Sequence, residues 1–262
     1  MLHGGPSERT IPPRTTDPAA LIAGKYRVER LIAESVHSRI YEAVQTNLER
    51  RLALRRLRAD AAERHRSDVL AEARICSRLG HPNVLAVYEM GADGEGPFVA
   101  MELLAGETLR EQLARGGRLD VAEVARLGAG ILGALVAAHE VGVMHPALSP
   151  SKVFISVVRG GHIAKLSDFG EVGDADPRSD LHAAGVIIYE ALTGAFPFET
   201  GTAIHEGRLP PGPSEVRDDV GLDADAFTDR ALSSSLGARF QSAEEMLDAW
   251  SSIEAVEPHL RT

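Results

Sequence analysis

Hydrophobic periodicity changes once along this chain, near Gly106, and that change limits the possible folds more than any other feature. Before it the pattern is strand-like. Tyr26 to Leu31 alternates, Arg39 to Val44 and Arg51 to Leu57 form two further runs, and Val84 to Met90 and Pro97 to Leu104 two more. The last run is nearly all apolar, as a central strand would be. One helical segment interrupts them, Asp60 to Leu79, with Leu70, Ala73 and Cys76 or Ile75 facing inward. After Gly106 the helical period dominates. Thr108 to Ala114 is short; Val121 to Val141 is longer, with Asp120 as N-cap and Gly142 closing it. Two short strands follow, Val153 to Val157 and Ile163 to Leu166, then helices at Ser179 to Thr193, Ala224 to Leu232 and Ser242 to Ile253. The expected fold is α+β in two lobes: five antiparallel strands plus one helix over 23–103, and a mostly helical lobe over 104–262. Residues 1–22, rich in Gly, Pro, Ser and Thr, read as a flexible tail.

Charge narrows the ligand classes. The net charge is −10 over 262 residues, and the acidic excess lies in residues 101–262. That argues against nucleic acid, whose phosphates need clustered Lys and Arg. One cysteine, Cys76, excludes an internal disulfide and any multi-cysteine metal site, and fits a reducing compartment. The longest uncharged apolar run, Leu127 to Ala138, reads as too short to span a bilayer, and no apolar leader opens the sequence. A cytoplasmic location is the expectation. Among the 28 basic residues only Lys25, Lys152 and Lys165 are lysines, so each lysine position is informative.

Five short segments occur in a telling order: His81-Pro-Asn-Val84, Leu166-Ser-Asp-Phe-Gly170, Asp176-Pro-Arg-Ser-Asp-Leu181, Gly185-Val-Ile-Ile-Tyr-Glu-Ala-Leu-Thr-Gly194 and Arg239-Phe-Gln-Ser-Ala-Glu-Glu-Met-Leu247. Together they resemble a bacterial eukaryotic-type Ser/Thr protein kinase, over residues 24–256. The resemblance implies a two-lobed kinase fold and ATP with Mg²⁺ as the groups to be held.

Against that family pattern several positions depart. The glycine-rich loop falls at Ala33 to Ser38, register being set by Ile40, and its glycines are replaced by Ala33, Ser35 and Ser38; a plain hairpin is the expectation. The strand lysine is Arg55, a wider planar fork, with Glu72 as its expected partner in a structural ion pair. The catalytic loop reads His145-Pro-Ala-Leu-Ser-Pro-Ser-Lys152, so the catalytic aspartate position is Ala147, Pro146 and Ser149 replace an arginine and a lysine, and Lys152 occupies the second metal-ligand position. Asp168 of the Asp-Phe-Gly motif is retained. A Lys152–Asp168 contact is predicted, a fixed ammonium standing where a metal would be.

The activation segment is truncated: between Asp168 and Arg178 there is no Ser, Thr or Tyr to phosphorylate. Arg239, whose family partner lies in the lost segment, is expected to find another partner or face solvent. The resemblance also places His145, Phe169, Cys76 and Val87 in a stacked hydrophobic spine, with Asp180 holding the backbone near His145. Ala53, Ile40 and Phe154 surround the adenine position, and Met101 to Leu104 form the hinge.

These departures lead to the expectation of a catalytically inactive member (a pseudokinase), not an enzyme, acting as a protein-binding or regulatory module in signalling. Its partner would be an active kinase or another signalling protein. No cofactor and no metal are expected. The nucleotide-binding positions, if nucleotide binds, are Arg55, Glu72, Glu102, Leu104 and Asp168, with Asp168 also the one candidate metal ligand. The alternative is a nucleotide-dependent transferase, or a residual Ser/Thr kinase with a non-standard active site. A third reading makes the tail the functional part, with Thr10, Thr15 and Thr16 as phosphate acceptors.

Overall fold

The computed structural model describes residues 21–58, 60–159, 161–170, 176–198 and 209–253. Thr10, Thr15 and Thr16 lie outside the described residues, as do Glu171 to Ala175 of the shortened segment.

The first lobe is an antiparallel sheet of β1 (Leu21–Ile22), β2 (Tyr26–Glu34), β3 (Ser38–Gln45), β4 (Arg50–Leu57), β5 (Val87–Asp93) and β6 (Gly96–Met101), in the order β1-β2-β3-β4-β6-β5. The five expected strands are present. The sixth, β1, is a two-residue edge: Leu21 and Ile22 pair with Arg27 and Tyr26, so the sheet starts two residues before position 23. Leu52, Leu54, Phe98 and Ala100 are buried on one face with Tyr26, whose ring meets Phe98 edge-on at 5.6 Å. The strand expected from Val84 starts only at Val87, because the preceding residues are held by the other lobe. Val84 bridges Leu166, and the Leu85 amide donates to the Leu166 carbonyl at 2.8 Å. Helix α1 (Glu63–Leu79) packs with Val69, Ala73, Ile75 and Cys76 buried; Val69 takes the inward place expected of Leu70, which is only half-buried.

After the hinge come β7 (Gly106–Thr108), α2 (Leu109–Gly116), α3 (Val121–Glu140), a 3-10 turn (Pro150–Lys152), β8 (Val153–Val158) and β9 (Gly161–Leu166). The chain then forms α4 (Arg178–Thr193), α5 (Pro213–Val216), α6 (Leu222–Leu232) and α7 (Ala243–Ser251). Strands β7, β8 and β9 make a small antiparallel sheet. Thr108 caps α2 rather than joining it: its hydroxyl accepts from the Glu111 amide while Glu111 accepts from the Thr108 amide.

Helix α3 is the axis of this lobe, with Val124, Ile131, Leu132, Leu135 and Ala138 fully buried. By length and composition it is apolar enough to cross a membrane, contrary to the expectation drawn from its central run. In the fold 61% of its apolar window is buried, as a core helix would be. Trp250 of α7 lies across Gly128 and donates to the Ala125 carbonyl at 3.1 Å. Helix α4 is buried on most sides, as its sequence implies. Even its Glu190 is enclosed, and Arg110 reaches it at 2.6 Å.

Candidate functional site

The cleft between the lobes is bounded above by the β2–β3 turn and behind by the hinge. In that turn the hydroxyl of Ser35 accepts from the amides of His37 at 3.3 Å and Ser38 at 3.0 Å. The Ser35 amide in turn donates to the Ser38 carbonyl at 2.8 Å. The turn is the plain hairpin its sequence suggests. Two backbone donors that a glycine-rich loop would offer to phosphate are satisfied from within.

Behind it, Arg55 sits on β4 opposite Ile40 and Val99. The expected ion pair with Glu72 does not form: Arg55 Nε points to the Ser38 hydroxyl at 3.4 Å, and no Arg55–Glu72 pair occurs among the described residues. The wide guanidinium follows the turn instead of α1. Glu72 still feels it. Burial raises the Glu72 carboxyl above the usual range, the charge of Asp168 raises it further, and Arg55 and Lys152 oppose both. Glu72 is thus coupled to two cations, Arg55 and Lys152, and to two further carboxylates, Asp168 and Asp68.

The floor is the segment from His145 to Lys152. The His145 amide donates to Asp180 Oδ2 at 2.9 Å, the role expected of Asp180, and the same oxygen meets His139 Nε2 at 2.8 Å. The His145 ring meets Phe169, which is fully buried, at 5.0 Å with the two planes tilted by 55°, and Cys76 and Val87 join the same cluster. Burial pushes the His145 imidazole below its ordinary range, against the charge of Asp180, which raises it. Burial also drives the Cys76 thiol up to about 11, so this cysteine is a core residue. Pro146 and Ala147 are exposed at the mouth of the cleft. Arg239 has found its other partner, donating to the Ser233 carbonyl at 2.7 Å.

Lys152 ends the 3-10 turn and bonds Asp168 Oδ2, the contact its position in the sequence predicts. Asp168 has φ of +63°, a left-handed backbone that costs a non-glycine residue about 1–3 kcal/mol. Its neighbours fix that geometry: Phe169 is anchored in the core, and Gly170 exchanges backbone hydrogen bonds with Met144 at 3.1 and 3.4 Å.

At the hinge, the Glu102 amide donates to the Ala86 carbonyl at 2.9 Å, and its side chain is taken by Lys165 Nζ at 2.7 Å. Glu102 can therefore offer a ligand only its backbone. The Glu102 carbonyl and the Leu104 amide have no hydrogen-bond partner among the described residues. Ala53 lies opposite Met101 in the sheet, beside this hinge. A divalent metal fits poorly. Asp168 Oδ2 already carries an ammonium, and no cluster of three metal-binding side chains exists among the described residues. Sequence reading did not find the Lys165–Glu102 tie, because nothing local links residues 63 positions apart.

A cavity of about 770 Å³ is lined by Asp68, Glu72, Arg74, Ile75, Pro146 and Gly170 among others, so it borders the site at Glu72 and at the segments that carry Ala147 and Asp168.

The sequence matches the protein kinase domain family over residues 26–179. It is 34% identical over 267 residues to serine/threonine-protein kinase pkn3 of Myxococcus xanthus, covering 85% of this chain and 49% of that protein. It is 35% identical over 222 residues to serine/threonine-protein kinase PknL of Mycobacterium bovis, covering 72% and 55%. The chain therefore spans about half the length of these curated relatives. Its fold is similar to the crystal structure of the Mycobacterium tuberculosis PknI kinase domain, with a TM-score of 0.69 at 26% identity over 89% of this chain and 98% of that one.

These relatives correct the expectation of an inactive binding module that is not an enzyme: they are named serine/threonine-protein kinases, which favours the alternative. The physical reason is that each departed residue removes one increment of catalysis. Loss of a general base is commonly worth about 10²–10⁴ in rate, while phosphoryl transfer rests mainly on positioning and charge. With the fold, the motif order and the family match agreeing, the chain belongs to the protein kinase family.

Proposed function

We propose that this chain is a residual Ser/Thr protein kinase with a non-standard active site, transferring the terminal phosphoryl group of ATP to a protein hydroxyl slowly. The observation that carries the reading is the electrostatic coupling of Arg55, Lys152 and Asp168 at Glu72, with Asp168 bonded to Lys152 and held at φ of +63°. The transferring phosphoryl group carries its charge on peripheral oxygens, so fixed cations can stabilise it.

In the proposed reaction the substrate hydroxyl oxygen bonds to the terminal phosphorus. The bond from that phosphorus to the bridging oxygen breaks, and ADP leaves with its electron pair. Ala147 offers no carboxylate to take the hydroxyl proton, which passes to a phosphoryl oxygen or to water; that is why the reaction is slow. The Glu102 carbonyl and Leu104 amide would hold the purine, Arg55 and Lys152 the phosphates, and Asp168 would orient Lys152, with Glu72 close enough to feel both cations.

The domain organisation proposed with it is a tail over 1–22 and a kinase domain over 23–262, divided near residue 103. A protein substrate or signalling partner and a cytoplasmic location belong to the same reading; the single buried Cys76 is compatible with a reducing compartment. The test is transfer from terminally labelled ATP to the chain itself and to a mixed protein substrate. Labelling that disappears in Asp168→Ala supports the proposal. No labelling, or labelling that persists in that variant, refutes it.

A further inference from the structure

We infer that the nucleotide site works without a divalent metal, Lys152 serving as the built-in cation for the phosphates. This rests on the reading of the chain as an ATP-using enzyme and deepens it. Three observations carry it.

The first is occupancy of the acid. Lys152 Nζ bonds Asp168 Oδ2, and the pair is only partly exposed, so the ammonium sits where a metal ion would have to bind. A dication placed on the same carboxylate would lie within roughly 5 Å of that ammonium, and like charges so close oppose each other strongly.

The second is the supply of cations. Lys152 bonds Asp168, and Arg55 and Lys152 are the cations whose charges act on Glu72, alongside the carboxylates of Asp168 and Asp68. An ammonium has three N–H donors, and Asp168 uses one of them. The others remain for phosphate oxygens. A nucleotide entering as a free anion meets Lys152, held in place by Asp168, and Arg55, which has no carboxylate partner among the described residues. One bringing a dication with it meets an excess of positive charge at Lys152.

The third is the β2–β3 turn. The His37 and Ser38 amides are satisfied by Ser35, so the phosphates cannot rely on them. Cationic side chains are what this cleft has in their place.

The experiment is calorimetric titration of the full chain with ATP and with ADP, in EDTA and in Mg²⁺, supported by melting temperatures under the same conditions. The expected result is binding in EDTA at least as tight as in Mg²⁺. Lys152→Asn, which restores an oxygen ligand beside Asp168, should reverse the order, so that Mg²⁺ tightens binding by about tenfold or more. Lys152→Gln tests the charge with similar bulk. Its melting temperature without nucleotide shows whether it folds, and its affinity in EDTA should fall by about tenfold.

Binding seen only in Mg²⁺ overturns the inference and leaves the enzyme reading standing. Binding in EDTA that neither variant changes overturns the assignment to Lys152. No nucleotide binding in either buffer overturns both.

Discussion

Lys165 Nζ lies 2.7 Å from Glu102 Oε2, an ion pair that ties the hinge to β9 across the two lobes. The lysine is almost buried, and it also reaches the Val84 carbonyl at 3.4 Å. Replacing it by methionine keeps the volume but leaves a partly buried carboxylate without its cation. Lys165→Met should therefore lower unfolding free energy by about 1–3 kcal/mol, measured by urea denaturation. A change of a few tenths would mean that the pair is merely a surface contact.

Gly128 lies inside α3, where alanine would ordinarily strengthen a helix. A Cβ there would come within 2.5 Å of Trp250 Nε1 and 2.6 Å of its Cε2. The indole is fully enclosed and bonded to the Ala125 carbonyl, so it cannot yield. The steric term outweighs helix propensity, and Gly128→Ala should destabilise the fold by about 1–3 kcal/mol. A thermal melt showing equal or greater stability would contradict this packing.

Buried and half-buried histidines shape the acid response. His145, which is buried, and His81 and His182, which are half-buried, all have imidazoles pushed below their ordinary range, chiefly by desolvation. With native values depressed, the unfolded chain binds more protons as pH falls through the unfolded value of about 6.5. Their stabilising effect is complete above that value and shrinks as pH falls toward the native values. Urea midpoints should drop between about pH 7.5 and pH 5, and the drop should lessen in His145→Phe. A flat profile across that window would contradict the assignment.

What sequence made legible here depended on local pattern. The strand-to-helix switch near Gly106, the Asp120 cap of α3 and the spine around Phe169 all rest on periodicity and short motifs. The Lys152–Asp168 contact was readable because both residues fall at motif positions facing one site. The Arg55–Glu72 pair was expected on the same logic and is absent, because Arg55 follows the Ser38 hydroxyl, whose orientation depends on Ser35. The Lys165–Glu102 tie has no local signal, since its partners lie far apart in sequence, and β1 is only two residues long, too short to show an alternating pattern. Function was the harder inference. Residues missing from a motif indicate which increments of catalysis are gone, and the loss of several does not add up to the loss of all.

That point decides the most direct test, a comparison of single-turnover phosphoryl transfer by the wild-type chain, Asp168→Ala and Ala147→Asp. Ala147 is exposed at the cleft mouth, so a carboxylate can be placed there without disturbing the core. The proposed residual kinase predicts slow transfer in the wild type, none in Asp168→Ala, and a rate raised by about 10²–10⁴ in Ala147→Asp. No transfer in the wild type, or the same rate in all three, would contradict it.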